Sequence, residues 1–269
     1  MIVFPNCKIN LGLHITRKRA DGYHDLETIF FPLQVNDALE FIPSTEFSFQ
    51  TTGLSINGNR EENICFKTYQ LLQKRFPHLP PISLHLHKAI PMGAGLGGGS
   101  SDAAFLLTSM NSFFGLGLSV DELIKISLEL GSDCPFFMVN KPCYATGRGE
   151  ILEPIDLDLS GYHIVLVYPD IEIKTAAAFE GINPQPSPVS IREKIKMPIS
   201  SWEEWIVNDF EKTVFRQFPE IENIRKSLYD AGALYASMTG SGSTCYGIFE
   251  SVPALNFPIT YRVFKVQVK

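Results

Sequence analysis

One glycine-rich segment, residues 91–104, constrains the fold and the chemistry of this chain more than any other; it reads PMGAGLGGGSSDAA. Five of the seven residues 93–99 are glycine, and a backbone without side chains lets a bulky anion approach its peptide N–H groups. The segment lies between residues 82–88, whose pattern predicts a strand, and residues 100–114, whose apolar spacing predicts a helix. A strand, a glycine loop and a helix N-terminus in this order form a cradle for an anion.

This arrangement predicts a phosphate-binding loop, and the alternative is a flexible glycine linker. Three common phosphate loops do not fit. A Walker A loop requires lysine after its final glycine, where this chain has Gly99. A dinucleotide-binding fingerprint matches by letters at residues 93–98, but the acids that follow, Asp121 and Glu122, belong to a helix capping box that begins at Ser119. The chain has neither the His-Arg-Asp nor the Asp-Phe-Gly triplet of a protein kinase.

Three segments together resemble one family of enzymes. Residues 91–101 read P-x-x-x-G-L-G-x-x-S-S, residues 5–13 read PNCKINLGL, and residues 237–243 read SMTGSGS. They resemble the ATP loop, the first motif and the third motif of the GHMP kinases, small-molecule kinases that include galactokinase, homoserine kinase, mevalonate kinase and phosphomevalonate kinase. Met238 departs from the pattern, because the family usually has a small residue there.

A further motif narrows the resemblance. Residues 8–11 read KINL, residues 19–24 read RADGYH, and the loop ends in GGGSS. This combination is similar to the GHMP kinases that phosphorylate the 2-hydroxyl of a cytidine-diphosphate methylerythritol in isoprenoid synthesis. The resemblance therefore implies ATP and Mg²⁺ as cofactors and that small molecule as acceptor. The alternatives are a kinase for homoserine or mevalonate, and a non-catalytic GHMP-fold sensor of nucleotide or sugar.

Composition excludes several other classes of protein. The chain has 269 residues and a net charge of −6, so it offers no basic surface for nucleic acid or anionic lipid. No segment approaches the ~18 apolar residues of a membrane span, and no signal-peptide layout occurs at the N-terminus. Five scattered cysteines without a Cys-x-x-Cys pair suit reduced thiols. We expect a cytoplasmic protein, either a monomer or a homodimer.

Predicted helices and strands are both present and do not alternate regularly along the chain, which predicts an α+β fold. The resemblance implies a two-domain GHMP kinase fold with the active site in the cleft between the domains, and we place an ATP-binding domain at 1–153 and a C-terminal domain at 154–269. Three prolines predict a surface loop at 183–188. The predicted strands are 39–42, 82–88 and 162–168, and the predicted helices are 63–75, 100–114, 119–130, 202–215 and 220–229.

Two charged residues are candidates for the chemistry. Asp133 lies on a turn between Gly131 and Pro135, where it either caps the following helix or serves as a functional acid. Lys8 lies in a strand-like segment, where it is either a paired buried lysine or a lysine that guards a sheet edge. The resemblance implies that both are catalytic and close together. A neighbouring lysine would keep Asp133 ionised, so its role as a general base and a purely electrostatic role both stay open.

The resemblance also implies the residues around the nucleotide. Ser100 and Asp102 are the candidate magnesium ligands, although the helix dipole alone would account for an acid at position 102. If Lys88 does not contact the nucleotide, it is a solvated lysine at the end of a strand. The predicted ATP-binding residues are Asn63, Lys88, Pro91, Met92, Gly93, Ala94, Gly95, Leu96, Gly97, Gly98, Gly99, Ser100, Ser101, Gly240 and Ser241.

The acceptor site implied by the resemblance is partly aromatic. Aromatic side chains stack on a pyrimidine with about 1–3 kcal/mol per base, although single aromatic residues also occur in cores. His85 and His87 share one strand face, but without a third ligand we interpret them as structural. The predicted acceptor-binding residues are Asn10, Tyr23, His24, Thr175 and Phe179.

Overall fold

The structure of the chain is a computed structural model that describes residues 1–186 and 189–269. The last two residues of the predicted loop 183–188 lie outside the described residues. The described chain combines helices with four-stranded sheets that are mainly antiparallel, so the predicted α+β fold is confirmed. No helix of the described residues is long and apolar enough to cross a membrane.

The strands of the described chain are β1 (Ile2–Val3), β2 (Asn6–Lys18), β3 (His24–Asn36), β4 (Ala38–Pro43), β5 (Ser48–Gly53), β6 (Ile82–Lys88), β7 (Cys143–Thr146), β8 (Ile151–Pro154), β9 (His163–Tyr168), β10 (Tyr235–Met238), β11 (Cys245–Phe249) and β12 (Arg262–Gln267). The predicted strands at 39–42, 82–88 and 162–168 correspond to β4, β6 and β9. Their alternating or continuous apolar residues are the signal that identified them.

The helices of the described chain are α1 (Ile64–Arg75), α2 (Gly98–Phe114), α3 (Val120–Leu130), α4 (Cys134–Val139), α5 (Thr175–Phe179), α6 (Ile191–Lys194), α7 (Trp202–Trp205), α8 (Phe210–Gln217) and α9 (Pro219–Asp230), with single 3₁₀ turns at Arg60–Glu62 and Ile199–Ser201. The single helix predicted at 202–215 is wrong, because residues 206–209 separate α7 from α8. The backbone of these residues forms hydrogen bonds with neighbouring segments, as described below.

The chain forms two compact units, and the predicted division into 1–153 and 154–269 stays a prediction. Each unit draws on several stretches of sequence. The first unit contains Met1–Cys7, Gln34–Met92 and Gly97–Asn140, and the second contains Lys8–Leu33, Gly93–Leu96 and Lys141–Lys269.

In the first unit, one sheet and three helices share a core. The strand order is β1-β4-β6-β5, in which β5 runs parallel to β6 and the other pairs are antiparallel. Ile82, Leu84 and Leu86 alternate along β6 and are buried against residues of α1, α2 and α3. The same alternation places Lys88, at the end of β6, on the buried face of the sheet.

The second unit contains two sheets with strand orders β2-β3-β7-β8 and β10-β11-β9-β12. Every residue of β9 after His163 is buried, which is why this strand is continuously apolar. Val165 and Val167 pack in one core with Phe210 of α8 and Ile224 of α9. Met238, which departs from the family motif, lies in this core at the end of β10 and so precedes the glycine turn instead of forming part of it.

The capping box at the start of α3 provides a test of local stability. Ser119 Oγ accepts a hydrogen bond from the N–H of Glu122, and the Glu122 carboxylate accepts one from the N–H of Ser119. We expect Ser119→Ala to lower the free energy of unfolding by about 1 kcal/mol, measured by denaturant titration. The control is Ser112→Ala at an exposed position inside α2, where alanine is the better helix former. Equal stability of the two variants would contradict the capping role.

Candidate active site

The glycine segment forms the predicted strand–loop–helix unit. The loop follows β6 and ends at Gly97, the N-cap residue of α2, which has a φ of 70°. Gly98 and Gly99 belong to the first turn of the helix, so the helix begins two residues earlier than predicted. Three peptide N–H groups of this first turn have no partner within a helix, which makes it a site for negative charge.

Gly95 shows why part of this loop must be glycine. Its φ of +78° is a left-handed conformation, and a Cβ atom built on it would lie 2.1 Å from the carbonyl oxygen of Thr239. Thr239 begins the second glycine turn, residues 239–242, and the N–H of Thr244 just beyond it donates to the carbonyl of Ala94 at 3.3 Å. The structure therefore packs the predicted third motif directly against the predicted ATP loop.

A buried lysine joins these two segments to the first motif. Lys8 is 3% exposed, and its Nζ donates to Asn10 Oδ1 at 2.6 Å and to the carbonyl of Gly95 at 2.9 Å. The hydroxyl of Thr239 accepts from the backbone N–H of Asn10 at 2.9 Å and lies 3.2 Å from the carbonyl oxygen of Gly95. We call Lys8, Asn10, Gly95 and Thr239 the lysine cluster. Of the two alternatives for Lys8, its burial and hydrogen bonds agree with the paired buried lysine.

The side chain of Asn10 forms hydrogen bonds through both its amide oxygen and its amide nitrogen. Its Oδ1 accepts from Lys8 and lies 3.3 Å from the Thr239 hydroxyl, while its Nδ2 donates to Thr28 Oγ1 at 2.9 Å. Asn10 is 2% exposed. This geometry gives Asn10 the task of holding the ammonium of Lys8, and a direct contact with the acceptor stays a prediction that the burial of its amide does not favour.

A second buried lysine, Lys88, lies at the end of β6, just before the loop. Lys88 is 1% exposed and forms ion pairs with Asp37 and with Asp102, whose Oδ2 is 2.8 Å from Lys88 Nζ. Asp37 Oδ1 also accepts the N–H groups of Ala89 and Ile90 at 2.6 and 2.9 Å. We call Asp37, Lys88 and Asp102 the carboxylate cluster. It joins the end of β6 to α2, so the interpretation of Lys88 as a solvated strand end is wrong.

The carboxylate cluster also explains the need for glycine at position 98. A Cβ atom there would lie 2.8 Å from Ile90 Cγ2 and 3.0 Å from Lys88 Nζ. Asp37 was not among the predicted residues, because nothing in its local sequence marks it. The signal that could have found the cluster is the alternation of β6, since a lysine on a buried face requires an acidic partner.

Burial raises the pKa of Asp102 to about 8, an effect that the ammonium of Lys88 opposes and the carboxylate of Asp37 reinforces. Burial lowers the pKa of Lys88, but the two carboxyl groups outweigh it and the net shift is upward. The Asp102 carboxyl is therefore easier to protonate than an exposed aspartate. A proton there reduces the negative charge that must be buried beside one ammonium.

Of the two candidate magnesium ligands, one fits the role of a direct ligand better than the other. Mg²⁺ in kinases usually binds one or two carboxylates together with substrate phosphates. Asp102 is 1% exposed and hydrogen-bonded to Lys88, so it does not fit a direct ligand. Ser100, half-buried in the first turn of α2, is the better protein ligand. The described residues contain no group of three or more His, Cys, Asp or Glu side chains that could hold a metal.

Asn63 and Asp133 both lie at helix starts but act differently there. Asn63 caps α1, because its Oδ1 accepts from the N–H of Cys65 at 2.9 Å; a contact with the nucleotide stays a prediction. Asp133 occupies the N-cap position of α4, where its backbone carbonyl accepts the N–H of Phe136 at 3.2 Å. In the described helix its side chain makes no capping hydrogen bond, so the cap alternative is wrong. A functional role of the half-buried carboxylate stays a prediction.

The predicted acceptor residues form two groups in the second unit. The rings of His24 and Phe179 stack with centroids 4.5 Å apart and 14° between their planes. The Tyr23 ring is 56% exposed and has the Arg148 guanidinium 4.8 Å from its centroid. Burial, with a smaller effect of Lys18, lowers the pKa of His24. A neutral imidazole at pH 7 can stack as an aromatic ring.

The stacked pair has a consequence for ligand binding. Two rings with centroids 4.5 Å apart leave no room for a pyrimidine between them, so a base must stack on an outer face or displace one ring. Thr175, at the other end of α5 from Phe179, has its Oγ1 3.3 Å from Ser241 Oγ in the second glycine turn. His85 and His87 both bond to Thr52 Oγ1, at 2.9 and 3.0 Å, in agreement with their structural interpretation.

Comparison with known proteins points to one family. The GHMP kinases N terminal domain matches residues 63–141, and the GHMP kinases C terminal domain matches residues 195–256. The 4-diphosphocytidyl-2-C-methyl-D-erythritol kinase of Bacteroides thetaiotaomicron is 53% identical, and that of Parabacteroides distasonis is 49% identical; each match covers 93% of this chain and 92% of the relative. A crystal structure of a 4-(cytidine 5'-diphospho)-2C-methyl-D-erythritol kinase is similar with a TM-score of 0.76 and 28% identity, over 92% of this chain and 90% of that one.

The contact between the loop and the second glycine turn can be tested at Gly95. We expect Gly95→Ala to weaken binding of a non-hydrolysable ATP analogue about tenfold or more, a change worth about 1.4 kcal/mol, and to lower the melting temperature. The control is Gly99→Ala, where the nearest atom to the new Cβ, Ile64 Cγ2, is 3.8 Å away; its melting temperature should not fall. Unchanged calorimetric affinity of Gly95→Ala would show that the turn does not depend on this glycine.

Proposed function

This chain belongs to the GHMP kinases and, within them, to the 4-diphosphocytidyl-2-C-methyl-D-erythritol kinases, and we propose that it transfers the γ-phosphoryl group of ATP to the 2-hydroxyl of 4-diphosphocytidyl-2-C-methyl-D-erythritol. The products are ADP and the 2-phosphate, in the non-mevalonate route to isoprenoid precursors. The observation that carries the proposal is the lysine cluster, in which Lys8 Nζ bonds the carbonyl of Gly95 inside the glycine loop at 2.9 Å.

Lys8 supplies a fixed positive charge for the transfer. Phosphoryl transfer depends mainly on positioning and on neutralising charge as it spreads over the phosphoryl oxygens. An ammonium already oriented by Asn10 and Gly95 requires no reorganisation when that charge develops. Magnesium, when bound to ATP, supplies further positive charge to the phosphate oxygens. We assign the protein contact of that metal to Ser100.

Asp133 acts on the acceptor hydroxyl in this proposal. Its carboxylate accepts the hydrogen bond of the 2-hydroxyl and orients the oxygen toward the γ-phosphorus. As the new O–P bond forms and the bond to ADP breaks, the hydroxyl proton passes to the carboxylate or to the transferred phosphate. The first route makes Asp133 a general base, and the second makes it an electrostatic guide. The half-buried position of Asp133 on the turn before α4 supports this assignment.

Recognition of the cytidine is assigned to the aromatic groups of the second unit. The rings of His24 and Phe179 stack on each other. Tyr23 precedes His24 in the chain and has the Arg148 guanidinium over its ring. A pyrimidine that displaces one ring of the pair regains the stacking energy that it interrupts. The five cysteines are buried and form no disulfide, which suits a reducing compartment, and we place the reaction in the cytoplasm.

The acceptor assignment is tested by comparing substrates. With ATP and Mg²⁺, the purified protein should release ADP rapidly with 4-diphosphocytidyl-2-C-methyl-D-erythritol, because the aromatic pair provides a stacking surface for cytosine. A coupled ADP-release assay measures this, with 2-C-methyl-D-erythritol 4-phosphate as the control that lacks the cytidine. Equal or faster turnover of homoserine or mevalonate would overturn the assignment in favour of another GHMP kinase.

The role of Asp133 is tested by removing its charge. We expect Asp133→Asn to lower kcat by about 10²- to 10⁴-fold, the usual contribution of a positioned proton acceptor, with little change in the affinity for an ATP analogue. Asp158→Asn on an exposed loop is the control. A kcat within a few-fold of wild type would exclude a catalytic role.

A further inference from the structure

The break between α7 and α8 attaches to the strand that carries Lys8. The N–H of Leu13 donates to the carbonyl of Val207 at 2.9 Å, and the N–H of Asp209 donates to the carbonyl of Leu13 at 2.8 Å. Asp209 Oδ2 also accepts the N–H of Ile15 at 2.7 Å. Residues 207–209 therefore run beside β2 as a short parallel neighbour, which explains why no helix continues through them.

The side chain of Asn208, at the centre of this segment, reaches the second glycine turn. It is 3% exposed, and its Nδ2 donates to the carbonyl of Met238 at 2.7 Å and to the carbonyl of Gly240 at 2.8 Å. Its Oδ1 accepts the N–H of Phe210 at 3.0 Å. Both amide hydrogens and the amide oxygen are thus used, and the two accepting carbonyls belong to the residues on either side of Thr239.

Thr239 connects this anchor to the lysine cluster. It is fully buried, its hydroxyl accepts from the N–H of Asn10, and its carbonyl oxygen occupies the space that a Cβ on Gly95 would fill. Gly95 in turn provides a carbonyl to Lys8 Nζ. A shift of the turn would therefore move the Gly95 peptide and one of the groups that orient the ammonium.

We propose that Asn208 is a positioning residue for phosphoryl transfer: its two hydrogen bonds hold the second glycine turn against Gly95 and so fix the loop and Lys8. This inference rests on the proposed function, because it assigns Asn208 to the same reaction. Asparagine fits the task because its amide offers two donors to two buried carbonyls. An aspartate of the same shape would present an oxygen to both and leave them without donors.

The experiment compares Asn208→Asp, which keeps the shape, with Asn208→Ser, which keeps one donor and adds no charge. Asp209→Asn is the control, because it alters the adjacent side chain but retains an acceptor for Ile15 and does not touch the turn. The assays at 25 °C are kcat with the cytidine-diphosphate acceptor, calorimetric Kd for a non-hydrolysable ATP analogue, calorimetric Kd for the acceptor alone, and melting temperature.

We expect Asn208→Asp to lower kcat by about 10- to 100-fold, the scale of a small misplacement of reacting groups, and to raise the Kd of the ATP analogue about tenfold. The Kd of the acceptor should stay within about twofold of wild type, because none of the hydrogen bonds of the Asn208 side chain described above goes to the aromatic pair. Asn208→Ser should show a smaller loss of the same kind. The control should behave as wild type.

A variant that melts at a lower temperature but keeps wild-type kcat and both affinities at 25 °C would overturn the proposal, since Asn208 would then only stabilise the fold. Equal loss of both affinities, or failure of both variants to fold, would overturn it for the same reason. If the wild type does not phosphorylate this acceptor, the proposed function fails. The affinities for the ATP analogue then still decide whether Asn208 positions the loop.

Discussion

The burial of one ammonium group, that of Lys8, is the interaction on which the rest of the site depends. A charge removed from water requires polar partners in fixed positions, or the cost of desolvation is not recovered. Asn10 and Gly95 provide two of them. The Asn10 oxygen belongs to the same strand as Lys8, and the Gly95 oxygen belongs to the glycine loop. Satisfying the hydrogen bonds of the lysine therefore also determines where the loop lies.

The two buried lysines of this chain solve the same physical problem in different ways. Lys88 is held by the carboxyl groups of Asp37 and Asp102 and thereby fastens the strand before the loop to the helix after it. Lys8 donates to the amide oxygen of Asn10 and to the peptide oxygen of Gly95, and these two bonds fix the direction of its ammonium. The first lysine thus stabilises the frame of the loop, and the second contributes to its electrostatic potential.

Small residues are required in this site because other atoms occupy the space that a side chain would need. The backbone oxygen of Thr239 takes the position that a Cβ on Gly95 would need, and the side chains of Ile90 and Lys88 crowd the corresponding position on Gly98. The contact at Gly95 brings the backbones of two segments that are distant in sequence close together. Such contacts also transmit small displacements, because a close-packed contact cannot absorb a shift without moving its neighbour.

The sequence alone determined the features that depend on neighbours in the chain. The alternation along β6, the glycine loop and the apolar spacing of α2 gave the strand–loop–helix unit, and the three motifs gave the family. Only the tertiary structure decided the partners of Lys88, the hydrogen bonds of the Asn10 side chain and the interruption between helices α7 and α8 at Asn208. Asp37 and Lys88 are far apart in sequence, as are Asn208 and Gly240, and no local periodicity reports such pairs. Each forms because folding brings a buried donor to a buried acceptor, and leaving either unpaired would cost free energy.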